Sequence, residues 1–315
     1  MPVAYLPSPA VSVWHLGAIP VRAYALCMVA GVVVALWLTD RRYRQATGRR
    51  GVILDLATVA VPVGFVGARV YSVLADSDLY FGRGRDWTDV FRVWQGGMGV
   101  AGAVAAGALA AWVYCRQTGI EVGPVALAAA PALAVAQAIS VWGNWFSQTL
   151  YGPPSGLLWA VAIAPQHRVG GYQAAAAFQP LFLYESAFDL LVAVAVSYAI
   201  HRYALSGGRA FALYAALWAG AGAAVEAMRI DYTPTLYGLR SNLLAMVAVG
   251  LLAVGYLASE HHRSRQRALL HRAEPPPRQQ MLRPRSSRAT AGQLGLTGPD
   301  DASGDASGAG PQLQP

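Results

Sequence analysis

Seven stretches of this chain are apolar and close to the roughly 20 residues a helix needs to cross a bilayer. They lie at 22–39, 52–75, 97–115, 121–141, 181–200, 210–228 and 241–258. With 55% of residues hydrophobic against 13% charged, the chain carries more apolar sequence than a soluble core uses. The expected fold is therefore all-α and integral to a membrane, a seven-span transmembrane helix bundle. Ala, Val and Gly dominate the runs, and small residues let membrane helices approach closely, which implies a compact bundle. The segment before the first run, AVSVWHLGAIPVRAY, is short, aromatic and broken by Pro20; it reads as a short interfacial helix. The first run lacks the basic flank and small-residue cleavage site of a signal peptide.

All 24 basic residues are arginine and the formal charge is +8, a balance that in a soluble protein points to nucleic acid. Their placement excludes that partner. Arg41, Arg42, Arg44, Arg49 and Arg50 follow the first run, and Arg263, Arg265, Arg267 and Arg272 follow the last. With seven spans both clusters share one side, so the positive-inside rule puts the amino terminus outside and the carboxyl terminus in the cytoplasm. Residues 1–260 then form a polytopic membrane domain. Residues 261–315 form a basic, Pro-, Gly- and Ser-rich tail with the composition of a disordered segment. Cys27 and Cys115 fall inside apolar runs and read as small buried hydrophobes, so neither a disulfide, a metal site nor a cofactor is expected.

The fourth run ends by breaking into QAISVWGNWFSQTLYG, from Gln137 to Gly152. Bare backbone polar groups in hydrocarbon cost several kcal/mol each, so the stretch must bend into protein or a polar cavity. Gly143 allows a close backbone approach beside Asn144, and polar residues held at that depth mark a site. From Gly152 to Gln179 the chain is too broken for a span and too apolar for a free loop. It reads as an arm on the outer face.

Charged residues gather at the same end of the runs. Arg69 lies near the outer end of the second, where a lone charge requires a partner. Tyr184 and Glu185 sit inside the fifth, and Asp189 follows Glu185 at i, i+4, so both acids share a face turned into the bundle. Glu226 and Arg229 form an i, i+3 pair at the end of the sixth, with Arg240 beyond them. Tyr24 stands at the entry to the first.

Tyr24, GARVY, WQGG, QAISVWGNWFSQTLYG, QPLFLYE and EAMRID followed by GLRSN occur in one order between Tyr24 and Leu251. In this the chain resembles the prolipoprotein diacylglyceryl transferase family. The resemblance implies a bundle open sideways to lipid. It implies transfer of diacylglycerol from phosphatidylglycerol to the thiol of a lipobox cysteine in a prolipoprotein signal peptide, with release of glycerol phosphate. Tyr24, Arg69, Asn144, Gly152, Tyr184, Glu185, Glu226 and Arg229 fall on its motif positions. Tyr24, Asn144, Glu226 and Arg229 are the implied catalytic set, and Arg69, Gly143, Gly152, Tyr184, Glu185 and Arg240 the substrate-binding set. Arginine suits the phosphate through its planar fork of donors. The chain departs from the family's G-R-x-G-N-aromatic-x-N-x-E-x-x-G signature, with Val141, Ser147 and Thr149 at the Arg, second Asn and Glu positions. Gly222 replaces the usual Arg four residues before Glu226, and Gln179 replaces a frequent His. These departures set an alternative beside transfer: a paralogue that binds phosphatidylglycerol or prolipoprotein without chemistry.

Overall fold

A computed structural model describes residues 5–17, 19–75, 90–91, 100–230, 235–236 and 239–273. The chain opens with a hairpin, β1 (Val13–Leu16) paired antiparallel with β2 (Ile19–Arg22). The interfacial helix expected here is thus a two-stranded ribbon. Val, Trp and Ile favour extended backbone, Gly17 turns in the left-handed region at φ 63°, and Pro20 has no N–H to continue a helical ladder.

Six described helices are long and apolar enough to span a bilayer: Ala23–Thr47, Val52–Leu74, Val122–Ser147, Leu181–Tyr203, Gly207–Met228 and Asn242–Gln266. The helical elements are α1 (Ala23–Thr47), α2 (Val52–Ala75), α3 (Val100–Thr118), α4 (Val122–Ser140), α5 (Gly143–Ser147), α6 (Leu181–Tyr203), α7 (Gly207–Met228) and α8 (Ser241–Ala273). The third apolar run falls on α3, with 97–99 outside the described residues.

Two helices outrun the expected boundaries. α1 continues through DRRYRQAT, supported by an Asp40–Arg44 ion pair of 3.0 Å one turn apart, and ends at Gly48 (φ 72°), whose N–H caps the Arg44 carbonyl. α8 runs to Ala273, so the boundary at 260 falls inside a helix, because Arg, Gln, Ala and Leu there are good helix formers. Contacts divide the chain into Met1–Arg267 and Ala268–Pro315; residues 274–315 of the expected tail lie outside the described residues.

Small residues set the packing. α4 contacts α1, α6 and α7, and Ala130, Ala132, Ala134 and Ala138 on it are at most 2% exposed. α2 packs chiefly on α3. A Cβ on Gly67 would land on the Ala106 side chain, and one on Gly102 on the Gly67 carbonyl. α8 meets α7 through Met246 beside Gly222, Gly250 beside Ala219 and Tyr256 beside Gly208.

Between α5 and α6, β3 (Val161–Ala162) pairs with β4 (Ala177–Phe178). The amino-terminal segment adds a strand alongside, with Leu6 N–H donating to the Ala160 carbonyl and Ala162 N–H to the Leu6 carbonyl. A last ribbon, β5 (Thr235–Leu236) with β6 (Leu239–Arg240), returns the chain to the end of α7 before α8 begins.

Gly67→Val forces a methyl-bearing side chain into the α2–α3 contact, and overpacking of this kind costs about 1–3 kcal/mol. It should lower the thermal midpoint of the detergent-purified protein. Gly220→Ala, where a Cβ meets nothing within 4 Å, should leave the midpoint unchanged or raise it.

Candidate functional site

The helix carrying the polar stretch bends but does not release its backbone. Val141 N–H donates to Gln137, Trp142 to Ile139, and Asn144 to Val141, so α5 starts one turn after α4 stops. Gln148 (φ 55°) and Leu150 (φ 58°) then take left-handed backbone, a conformation that costs a non-glycine residue about 1–3 kcal/mol when the surroundings impose it. Gln148, 8% exposed, is gripped from two sides. Its Oε1 accepts from Ala164 N–H at 2.7 Å and its Nε2 donates to the Pro9 carbonyl at 3.3 Å. This residue joins the bend, the β3 segment and the amino-terminal strand, and its identity as Gln gave no sign of that role.

Gly143 carries Tyr24 on its surface: a Cβ there would sit 2.8 Å from the Tyr24 ring and 3.0 Å from its Cα. Gly152 is equally enclosed, with a Cβ falling 3.2 Å from the Met228 carbonyl and from Gln179 Cβ. Asn144 donates from Nδ2 to the Val141 carbonyl (2.9 Å) and accepts at Oδ1 from Thr149 Oγ1 (2.9 Å). Ser147 Oγ is shared between the Gly143 carbonyl (3.1 Å) and Thr149 Oγ1 (2.8 Å). So Thr149, at the family's Glu position, holds Asn144 through a neutral hydroxyl, and Ser147, at the second Asn position, holds Thr149 in turn.

Glu226 is the buried charge of the site, at 2% exposure. Its Oε2 accepts from Arg229 at 3.1 Å and its Oε1 from Arg240 at 3.3 Å. The same Arg240 nitrogen donates to the Glu226 backbone carbonyl at 3.0 Å. A carboxylate at this depth is tolerable because both oxygens are paired. Both arginine side chains are about a fifth exposed, at 21% and 23%, so neither is sealed inside the protein.

Glu185 lies within electrostatic reach of Arg229, Glu226 and Tyr24, which places it between the bend and the arginines. Tyr184 accepts a hydrogen bond from Trp159 Nε1 at 3.0 Å. Asp189 is 2% exposed, as the i, i+4 spacing predicts, and Tyr214 on α7 donates to Gln137 Oε1 at 2.7 Å. Tyr24, Gly143, Asn144, Gly152, Tyr184, Glu185, Glu226, Arg229 and Arg240 thus meet where α1, α5, α6 and the end of α7 converge. Arg69 is carried on α2 instead, 8% exposed, with its Nε donating to the Val90 carbonyl at 2.6 Å.

Two hollows flank this set. An open cleft of about 460 Å³ between α1, α4 and α6 is walled by Leu26, Cys27, Ala30, Ile139, Trp142 and Leu190. Its polar floor is already satisfied, because Trp142 Nε1 donates to Ser186 Oγ (3.1 Å), which donates to the Ala138 carbonyl (2.9 Å). The crevice around Asn144, Trp145 and Thr149 admits no water-sized molecule. Elsewhere apolar matter has taken the places of charge. Val141 packs with Leu150, Tyr151, Phe182 and Val225, and Gly222 leaves room that the Met246 thioether occupies. Among the described residues no cluster of three or more His, Cys, Asp or Glu forms a metal site.

A sequence model described as prolipoprotein diacylglyceryl transferase matches residues 11–259. The chain belongs to the prolipoprotein diacylglyceryl transferase family. Within this family it is 45% identical over 257 residues to the phosphatidylglycerol–prolipoprotein diacylglyceryl transferase of Streptomyces griseus, covering 82% of this chain and 78% of the relative. It is 46% identical to that of Streptomyces avermitilis, covering 82% and 75%. It is 45% identical to transferase 2 of Streptomyces coelicolor, covering 84% and 83%. The match takes in the bend, the acids of α6 and the Glu226 cluster together, and stops short of the carboxyl-terminal segment.

Removing one partner of a buried, paired charge costs about 3–5 kcal/mol, and here solvent at the arginine edges places the cost toward the lower figure. Glu226→Ala should therefore lower the thermal midpoint markedly. Arg229→Ala should cost less in that background than alone, and a double-mutant cycle on purified protein measures the difference.

Proposed function

We propose that this chain transfers the diacylglyceryl group of phosphatidylglycerol to the lipobox cysteine of prolipoproteins. The observation that carries the reading is the pair of arginines that Glu226 holds together, each about a fifth exposed, within a framework matched to the family from residue 11 to 259. Arg229 and Arg240, held together by Glu226 and each partly exposed, are the cations that receive the lipid phosphate, which serves as both recognition handle and leaving group. Glu226 is already shared between two arginines, so it acts as a positioning residue. Glu185 is the carboxylate left to take the thiol proton.

In the step itself the thiolate sulfur attacks the glycerol carbon bearing the phosphate ester. A C–S bond forms, the C–O bond breaks with its electron pair going to the phosphate oxygen, and glycerol phosphate departs. The thiol proton ends on the leaving phosphate. Tyr24 and Asn144 border the reacting groups and hold them in line. The apolar cleft beside Trp142 has the size of a ligand pocket and suits an acyl chain, because it makes no polar demand.

In this reading α3 is the seventh span and the segment 152–179 is an arm at the outer face. The amino terminus is outside the cell membrane and the carboxyl terminus in the cytoplasm. Arg69 keeps the substrate-binding part its motif position implies, from α2, where it is buried and donates to the Val90 carbonyl. The packing of Val141 into an apolar cluster favours a second reading, a paralogue that binds phosphatidylglycerol or precursor without transfer.

The test is transfer from phosphatidylglycerol to a lipobox peptide by purified protein in nanodiscs, read by the mass gained on the cysteine. Modification is expected, and its absence with phosphatidylglycerol still bound selects the binding paralogue. A charge-assisted hydrogen bond is worth ~1.5–3 kcal/mol, so Arg240→Ala should slow transfer by about 10- to 100-fold. Unchanged rates would remove Arg240 from the phosphate site.

A further inference from the structure

The segment between the bend and α6 carries an apolar tip that neither the charge cluster nor the cleft uses. Leu157 N–H donates to Ser155 Oγ (3.3 Å) and Ala160 N–H to the Leu157 carbonyl (2.9 Å), which closes a tight turn. Leu157, Leu158 and Trp159 on that turn are 39%, 76% and 47% exposed, whereas Ala160 and Val161 immediately after are 0% and 1% exposed. A single exposed leucine needs no explanation. Three consecutive large apolar side chains presented by a turn that is otherwise well anchored do need one.

The height of the tip follows from its partner. Trp159 Nε1 donates to the Tyr184 hydroxyl at 3.0 Å, and Tyr184 lies in the first turn of α6, which begins at Leu181 and is one of the spanning helices. A side chain hydrogen-bonded to the first turn of a span lies where hydrocarbon gives way to headgroups. Tryptophan and tyrosine favour that level because their rings are apolar and their tips polar. Chain order agrees: the tip lies between the end of one span at Ser147 and the start of the next at Leu181, so it sits at a single membrane face. The same segment carries a polar turn, Pro165–His167, whose residues are also exposed. It therefore presents an apolar point and a polar one rather than an evenly mixed surface.

We propose that Leu157–Trp159 is an interfacial anchor whose partner is the lipid surface, inserted at the headgroup–acyl boundary. Through the Trp159–Tyr184 hydrogen bond it holds the first turn of α6, with Tyr184 and Glu185, at headgroup depth. The anchoring rests on the spanning architecture alone; only its service to the reaction rests on the transferase reading.

The test is a spin label at Leu158→Cys, in the full chain with Cys27 and Cys115 replaced by alanine. The protein is held in nanodiscs of phosphatidylglycerol and phosphatidylethanolamine, and Gln166→Cys serves as the water-facing comparison. Position 158 is largely exposed, so the label perturbs no packing. Collision with lipid-dissolved oxygen should exceed collision with a water-soluble nickel chelate at 158, and the ratio should reverse at 166. A label at 158 as open to the chelate as that at 166 overturns the proposal. So does a 158 label that becomes shielded only when a lipobox peptide is added, because the surface then belongs to a protein partner. The measurement needs no turnover, so loss of the transferase reading and loss of the anchor are separate results.

Discussion

Backbone polar groups cannot be left bare at membrane depth, and the architecture around the bend is an answer to that constraint. α4 ends at Ser140, yet the N–H groups of Val141, Trp142 and Asn144 each find a carbonyl three or four residues back. Where the backbone turns left-handed at Gln148 and Leu150, side chains and neighbouring segments supply the missing partners. Gln148 reaches both Ala164 and Pro9, and Gly152 N–H donates to Gln179. The left-handed conformations at two bulky residues are thus over-determined by packing and hydrogen bonding. Two glycines complete the arrangement, because Tyr24 lies directly on Gly143 and the Met228 carbonyl directly on Gly152.

Charge is concentrated where this folded-back segment meets the end of α7. One buried carboxylate, Glu226, holds Arg229 and Arg240 and so fixes two guanidinium groups side by side, each on a side chain about a fifth exposed. At the positions where the family's pattern carries further charge, this chain has closed the space with apolar or neutral groups. Val141 joins a hydrophobic cluster, the Met246 side chain lies against Gly222, and Thr149 donates its hydroxyl to Asn144. The site keeps its cations on the α7 and β6 side and has become neutral on the bend side.

Several features were open to reading from residue order. Six of the seven apolar runs fall on helices long and apolar enough to span, and the i, i+4 spacing put Asp189 on an inward face, where it is 2% exposed. Glu226 with Arg229 was readable because the pair shares one helix end. The amino-terminal hairpin was not, since four-residue strands carry too little alternation to stand out from an interrupted aromatic segment. Gln148 was missed because both of its partners come from distant segments. Arg69 was readable as a buried charge near a helix end, and it is 8% exposed.

Hydropathy and spacing within single segments fixed the membrane class, six apolar helices long enough to span and the inward place of Asp189 on α6, because burial in a helix follows a local period of 3.6 residues. Which groups meet across segments depended on the crossing of separate helices. Arg240 reaches Glu226 only because the β5–β6 ribbon doubles back, and Tyr24 reaches Gly143 only because α1 packs along α4 and α5. Such pairings are set by helix crossing and chain reversal, which no local pattern records, and they decide where the charges of this protein stand.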